Sequence, residues 1–87
     1  MPLRLSDEGE RVFREWHDRC ESKEDAALVA GVLRAVAHWD WQRRWHHSAH
    51  PADPDITVIE PRPGMAVLIR LWEPDEPEQF TLIAIAG

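Results

Sequence analysis

This sequence predicts an α+β fold, with two N-terminal helices packed on an antiparallel sheet of three to four strands. Three observations predict it. The 87 residues suffice for a single domain over 1–87 with one modest core. Apolar residues recur at helical spacing through the first half of the chain. Beyond Pro54 the period changes to strand-like runs separated by turns rich in proline and glycine. Helices first and strands afterwards is the pattern of an α+β domain.

The elements follow in order. Leu3-Arg4-Leu5 alternates apolar and basic residues and offers a short leading strand, the fourth of the sheet if it joins. Ser6 and Asp7 are helix-start residues, and Asp7 with Glu10 has the spacing of a capping box. Val12, Phe13, Trp16 and Cys20 recur on one face, which predicts a helix over 7–20 with Cys20 as a buried thiol. Ser22 and Asp25 repeat the start signal. The apolar run 26–37 suits a helix buried on more than one side, continuing through Trp39, Trp41 and Trp45 to about residue 47. Gly31 inside it predicts close contact with a neighbouring element. Residues 50–55 form a loop, since Pro51 and Pro54 push their predecessors out of helix. Strands are expected at 56–59, 65–72 and 80–86, joined by a Pro-Gly turn at 61–64 and an acidic turn at 73–78. In the second strand Met65, Val67, Ile69 and Leu71 point one way. Ala66, Leu68, Arg70 and Trp72 point the other, so a second apolar face interrupted by one arginine needs a cover of its own.

Composition bounds the function. The balance of 44% hydrophobic and 30% charged residues is that of a globular protein. One cysteine allows no internal disulfide framework and fits a cytoplasmic setting. No apolar run approaches the ~20 residues of a membrane span, and the N-terminus has no apolar signal core, so no membrane partner is expected. The net charge of −6 is unevenly spread. Residues 1–25 hold eight acidic and five basic side chains, and residues 51–87 hold seven and two. Residues 26–50 hold only Asp40 against Arg34, Arg43 and Arg44. The molecule repels phosphate backbones at long range, and only its middle is locally cationic.

That middle carries the densest constellation of candidates. Arg43 and Arg44 suit phosphates, while Trp41, Trp45 and His46 suit stacking on bases, with Arg62 as a further basic group in the 61–63 turn. In a continuing helix Trp41 and Trp45 share a face. The competing account is a helix end that closes the core with large rings and leaves a solvated basic rim. The histidine spacings 46/50 and 47/50, and the pair His17/Cys20, match metal ligands only in part. No metal site or cofactor is assigned, and a histidine-rich surface is the favoured reading. Arg70 also has a structural account, pairing with Glu60, Glu73 or Glu78 across the sheet.

The order of Leu3-Arg4-Leu5-Ser6, the 7–20 and 22–47 helices, Pro63-Gly64-Met65 and the strands at 67–72 and 80–86 resembles the RelE/ParE superfamily of small bacterial toxins. The resemblance covers nearly the whole chain. It implies a toxin-type module of a toxin–antitoxin system, held by a cognate antitoxin, with the ribosome and its mRNA as further partners. If the chain is an enzyme, the resemblance implies an endoribonuclease of the ribosome-dependent mRNA interferase type. Arg70 would then stabilise the phosphate, with His47 as general acid–base. The chain has no tyrosine and ends in Ala84-Ile85-Ala86-Gly87, without the family's C-terminal basic and aromatic groups, which favours a catalytically silent relative. The alternative is a non-catalytic acidic protein-interaction module, an inhibitor or regulator, which pairs as a homodimer if its second apolar sheet face meets a copy of itself.

Overall fold

The computed structural model describes residues 2–71 and 75–87. The element order is β1 (Arg4–Leu5), α1 (Asp7–Arg19), α2 (Lys23–Ala37), β2 (His46–Ala49), β3 (Ile56–Arg62), β4 (Met65–Arg70) and β5 (Gln79–Ala86). The five strands form one sheet in the order β1-β5-β4-β3-β2. The fold is α+β as expected, with two corrections to the sheet. It has five strands rather than three to four, and β1 runs parallel to β5 while the other neighbours are antiparallel.

Both helices begin on serine caps. The Ser6 hydroxyl accepts from the Gly9 backbone N–H at 3.1 Å, and the Ser22 hydroxyl accepts from Asp25 N–H at 3.1 Å. The first cap therefore sits one residue before the expected capping box, with Asp7, Glu8 and Glu10 in the first turn, where the helix dipole favours negative charge. Ser6 also shares a 2.8 Å hydrogen bond with the buried Thr81 hydroxyl of β5, and its N–H donates to Phe80 O. The start of α1 is thereby fixed to the sheet. Cys20 caps the far end outside the helix, half-buried rather than buried, its thiol donating to Ser22 O at 3.3 Å.

Val29, Val32 and Val36 of α2 pack with Ile59, Met65, Val67, Ile69, Phe80 and Leu82 of the sheet, and Val12, Phe13 and Trp16 of α1 pack against the same cluster. The alternation of β4 is legible in its burial, with Met65, Val67 and Ile69 buried and Ala66, Leu68 and Arg70 half-buried. Both helices thus cover one face of the sheet, and among the described residues no helix lies on the face bearing Leu68 and Arg70. The β3–β4 connection is the pair Pro63-Gly64. Proline sets φ at the first turn position, and Gly64 takes φ of +84° at the second, as a type II turn requires. Among the described residues no helix is long and apolar enough to cross a membrane.

The largest departure from expectation lies after Ala37. The helix read as far as residue 47 ends at His38, and residues 46–49 form an edge strand against β3. The buried face of α2 runs through Val29, Val32, Leu33 and Val36, and one more turn would carry Asp40 and Arg43 onto it. Burying those charges is costly, so the chain reverses instead. Trp39 takes φ of +58°, Trp39 N–H donates to Val36 O at 3.1 Å, and Asp40 N–H donates to Ala35 O at 2.8 Å. These are the two hydrogen bonds of a Schellman motif, with tryptophan where glycine is usual. Gly31 meets no neighbour within 4 Å of where a Cβ would stand, so the close contact expected there is absent. β4 ends at Arg70 rather than Trp72, and Trp72, Glu73 and Pro74 lie outside the described residues.

Candidate functional site

The face without helices is a row of small and aliphatic side chains across four strands. Ser48 stands beside Val58, Val58 beside Leu68, and Leu68 beside Ala84, with Ala66 and Ala86 in the next row. Val58, Ala66, Leu68 and Ala84 are half-buried although, among the described residues, no helix packs over them. Register shifts in β3 between Ile59 and Arg62, and in β4–β5 beside Ile69, bend this surface.

Arg70 lies at one end of this face, opposite Ile56 and Thr81. Its guanidinium meets Asp53 of the β2–β3 loop at 3.8 Å; of the glutamates considered from sequence, Glu60 and Glu78 form no ion pair with it, and Glu73 lies outside the described residues. Asp53 is itself held in place, its carboxylate accepting from Asp55 N–H and its carbonyl accepting from Ile56 N–H, both at 3.0 Å. Arg70 thus has a loop carboxylate as its ion-pair partner, at the edge of ion-pair distance.

His47 is on the other face. It pairs with Ile59, which pairs with Val67, and both of those side chains belong to the helix-covered core. The His47 ring stands edge-on to Trp41 at 4.8 Å, and its Nδ1 lies 3.4 Å from Trp45 O. The fold therefore separates Arg70 from His47 across the sheet. His46 shares the face of Arg70 but sits at the opposite end, beside Glu60.

The remaining candidates also part company. Trp41 is 3% exposed and belongs to the core, and its indole N–H finds no acceptor among the described residues. Trp45 is half-buried against the same cluster, with the Arg44 guanidinium 6.0 Å from its ring centre. Arg44 is paired with Asp40 at 2.8 Å. Arg43 is exposed and makes no ion pair or hydrogen bond among the described residues. The i, i+4 spacing of His46 and His50 has no helix to act through, since His46 is in β2 and the His50 imidazole accepts from Ala52 N–H.

Arg62 is not an exposed turn residue. Its guanidinium binds the Asp25 carboxylate of α2 through two hydrogen bonds of 2.9 Å and donates a third to Pro63 O. The Asp25 carboxyl is held below the usual carboxylate range, first by hydrogen bonding from Arg62, opposed by partial desolvation and reinforced by the guanidinium charge. A depressed carboxyl stabilises the fold above the pKa of the unfolded chain, and that contribution is lost as pH falls through the folded value. Arg62→Ala is accordingly expected to lower Tm by a few degrees at neutral pH. The gap from the unsubstituted protein should close in acid, and thermal melts from about pH 7 down to about pH 3 check both parts.

Trp39 opens the tryptophan-rich segment read from sequence, and the structure sets it apart from Trp41 and Trp45. Among the described residues it is the exposed large apolar side chain, at 40% exposure. A left-handed conformation costs a non-glycine residue roughly 1–2 kcal/mol. The signal that could have found it is the α2 periodicity, which forces a reversal before Asp40 and so leaves the preceding ring outside. With His38, Asp40, Gln42 and Arg43 it lines an open depression of about 520 Å³.

No family model matches this chain, and no curated protein or solved structure matches it either.

Proposed function

We propose that this protein is a RelE/ParE-like toxin-type module that acts by binding its target through the helix-free sheet face, without cleaving RNA, and that a cognate antitoxin holds it silent. The observation that carries the reading is that face. Val58, Ala66, Leu68 and Ala84 form a continuous apolar strip opposite the helices. An apolar strip of this kind on so small a domain suits a protein partner. The element order agrees with the resemblance, since a short strand and two helices precede a run of antiparallel strands. Binding is favoured over catalysis because Arg70 and His47 lie on opposite faces, so a single phosphate cannot meet both.

Induced expression in a bacterial host tests the proposal. The expected result is growth arrest that Leu68→Glu relieves and Arg70→Ala does not, both variants being soluble and melting cooperatively. Relief by Arg70→Ala would return the activity to phosphate chemistry. No arrest at confirmed soluble expression would sink the toxin reading and leave the acidic interaction module, with the same face as its surface.

A further inference from the structure

We infer that the open edge of β2 pairs with the β2 edge of a second copy of this chain, antiparallel about a two-fold axis at Ser48, so that two five-stranded sheets become one of ten strands. The inference concerns the sheet edge and not the helix-free face, and it does not depend on the toxin reading.

The first support is the set of backbone groups that the edge leaves open. β2 is the last strand of the sheet and pairs only with β3. His50 N–H donates to Ile56 O at 2.9 Å, which marks His50–Ile56 as a hydrogen-bonded pair of this ladder. Such pairs alternate along antiparallel strands, so Ser48–Val58 and His46–Glu60 also bond across it. The N–H and C=O groups of His47 and Ala49 therefore point away from β3, and nothing meets them among the described residues. All four residues of the strand are exposed. Sheet edges are commonly blunted by a lysine, a proline or a bulge, and β2 has none of these.

The second support is that the edge is complementary to itself. An axis at Ser48 sets His47 opposite Ala49 of the second copy, and Ala49 opposite its His47. Hydrogen bonds across those two pairs satisfy every outward group of both strands. Neither neighbouring register does so. An axis at His47 sets Ala49 against Trp45, whose N–H is already donated to Trp41 O. An axis at Ala49 sets His47 against Pro51, which has no N–H to give. The side chains favour the same register. Ser48 faces its own copy in the closer, non-hydrogen-bonded kind of pair, where two small hydroxyls fit and can bond one another. The His47 ring, which stands edge-on to Trp41, has only a methyl group opposite it.

Charge and symmetry choose the occupant. The chain carries a net charge of −6, yet β2 contributes no carboxylate to it. Two copies can meet here, while acidic surface elsewhere holds them apart. A strand of another protein could take the same backbone groups, but the match of small side chains to large ones follows from symmetry only in a second copy. Ser48 stands in the row of Val58, Leu68 and Ala84, so the dimer carries two such strips end to end on one open face.

Sedimentation velocity of the purified full chain, from about 10 μM to about 1 mM, tests this. A four-residue edge buries less than a standard interface, so half-dissociation is expected at on the order of 100 μM. Ala49→Pro removes an outward donor without touching the β3 ladder and should leave a folded monomer throughout the range. Ser48→Lys sets like charges across the axis and should weaken the dimer by about tenfold or more. In a Cys20→Ser background, Ser48→Cys should give a disulfide-linked dimer with oxidised glutathione, because the closer pair sets its Cα atoms about 4.5 Å apart. His46→Cys in the same background should not, since the register holds its two copies well beyond disulfide reach. A cooperative melt checks each variant, and if Ala49→Pro does not fold, Ser48→Lys and the cross-links decide. A monomer at every concentration overturns the inference and leaves the edge to a strand of another protein. So does a dimer that Leu68→Glu abolishes and Ser48→Lys spares, which would move the contact to the sheet face. Equal cross-linking at residues 46 and 48 overturns it as well.

Discussion

Trp41→Ala is expected to lower the free energy of unfolding by about 3–5 kcal/mol, which urea denaturation would read as a large fall in midpoint at unchanged slope. The ring is 3% exposed and packs in the cluster that joins α2 to the sheet. A domain of this length has a total stability of roughly 4–13 kcal/mol, so the loss is a large part of the whole. The experiment separates the two sequence readings of the Trp41–Trp45 segment. A base-stacking tryptophan on the surface would lose ligand affinity and little stability when truncated. A core tryptophan loses stability first. Trp41→Phe refines the test, since it keeps most of the ring volume and removes the indole N–H that lacks an acceptor among the described residues. Relief of that buried donor opposes the smaller cavity, so Trp41→Phe should lose less than half of what Trp41→Ala loses. Equal losses in the two variants would show that the N–H makes a bond the fold depends on.

What the sequence made legible follows from the range of the interactions involved. Ser6 and Ser22 act on backbone groups three residues away, so both helix starts can be read locally. The alternation of Met65, Val67 and Ile69 with Ala66, Leu68 and Arg70 is likewise local, and β4 keeps it. The Arg62–Asp25 pair spans 37 residues, and its partners could not be matched before the β3–β4 hairpin was placed on the first turn of α2. The segment 38–49 misled for a different reason. Its tryptophans recur at helical spacing, but the choice between helix and reversal depends on whether Asp40 and Arg43 would be buried, a tertiary question. The edge strand His46–Ala49 has little intrinsic strand signal and exists through its pairing with β3. The candidate site inherited this error. Candidates read as parts of one continuing helix are divided among the core, which takes Trp41 and Trp45, the edge strand, which takes His46 and His47, and the corner before it, which takes Arg43 and Arg44.

The two helical glycines turn the same distinction into a test with opposite signs. Alanine is favoured over glycine in a helix interior by up to about 1 kcal/mol. At Gly31 nothing lies within 4 Å of the added methyl, so Gly31→Ala should stabilise by about 0.5–1 kcal/mol. At Gly9 the added Cβ would stand 2.5 Å from Leu5 Cδ1 and 2.8 Å from the backbone nitrogen of Leu82. Leu5 can turn away, but Leu82 lies in β5, held between β1 and β4, and cannot retreat without moving the sheet. Overpacking of this kind costs about 1–3 kcal/mol and outweighs the helical gain. Gly9→Ala should therefore lower Tm where Gly31→Ala raises it, by roughly 4–8 °C per kcal/mol in a domain of this size. The consequence reaches function, because the close approach at Gly9 seats α1 on the same side of the sheet as α2. A variant that lifts α1 off β5 should loosen the core beneath Phe80 and Leu82 while leaving the Val58–Leu68–Ala84 strip intact. If Gly9→Ala stabilised the protein as Gly31→Ala is expected to, the helix would not rest on β5 at van der Waals distance, and the division into a covered and an open face would fall with it.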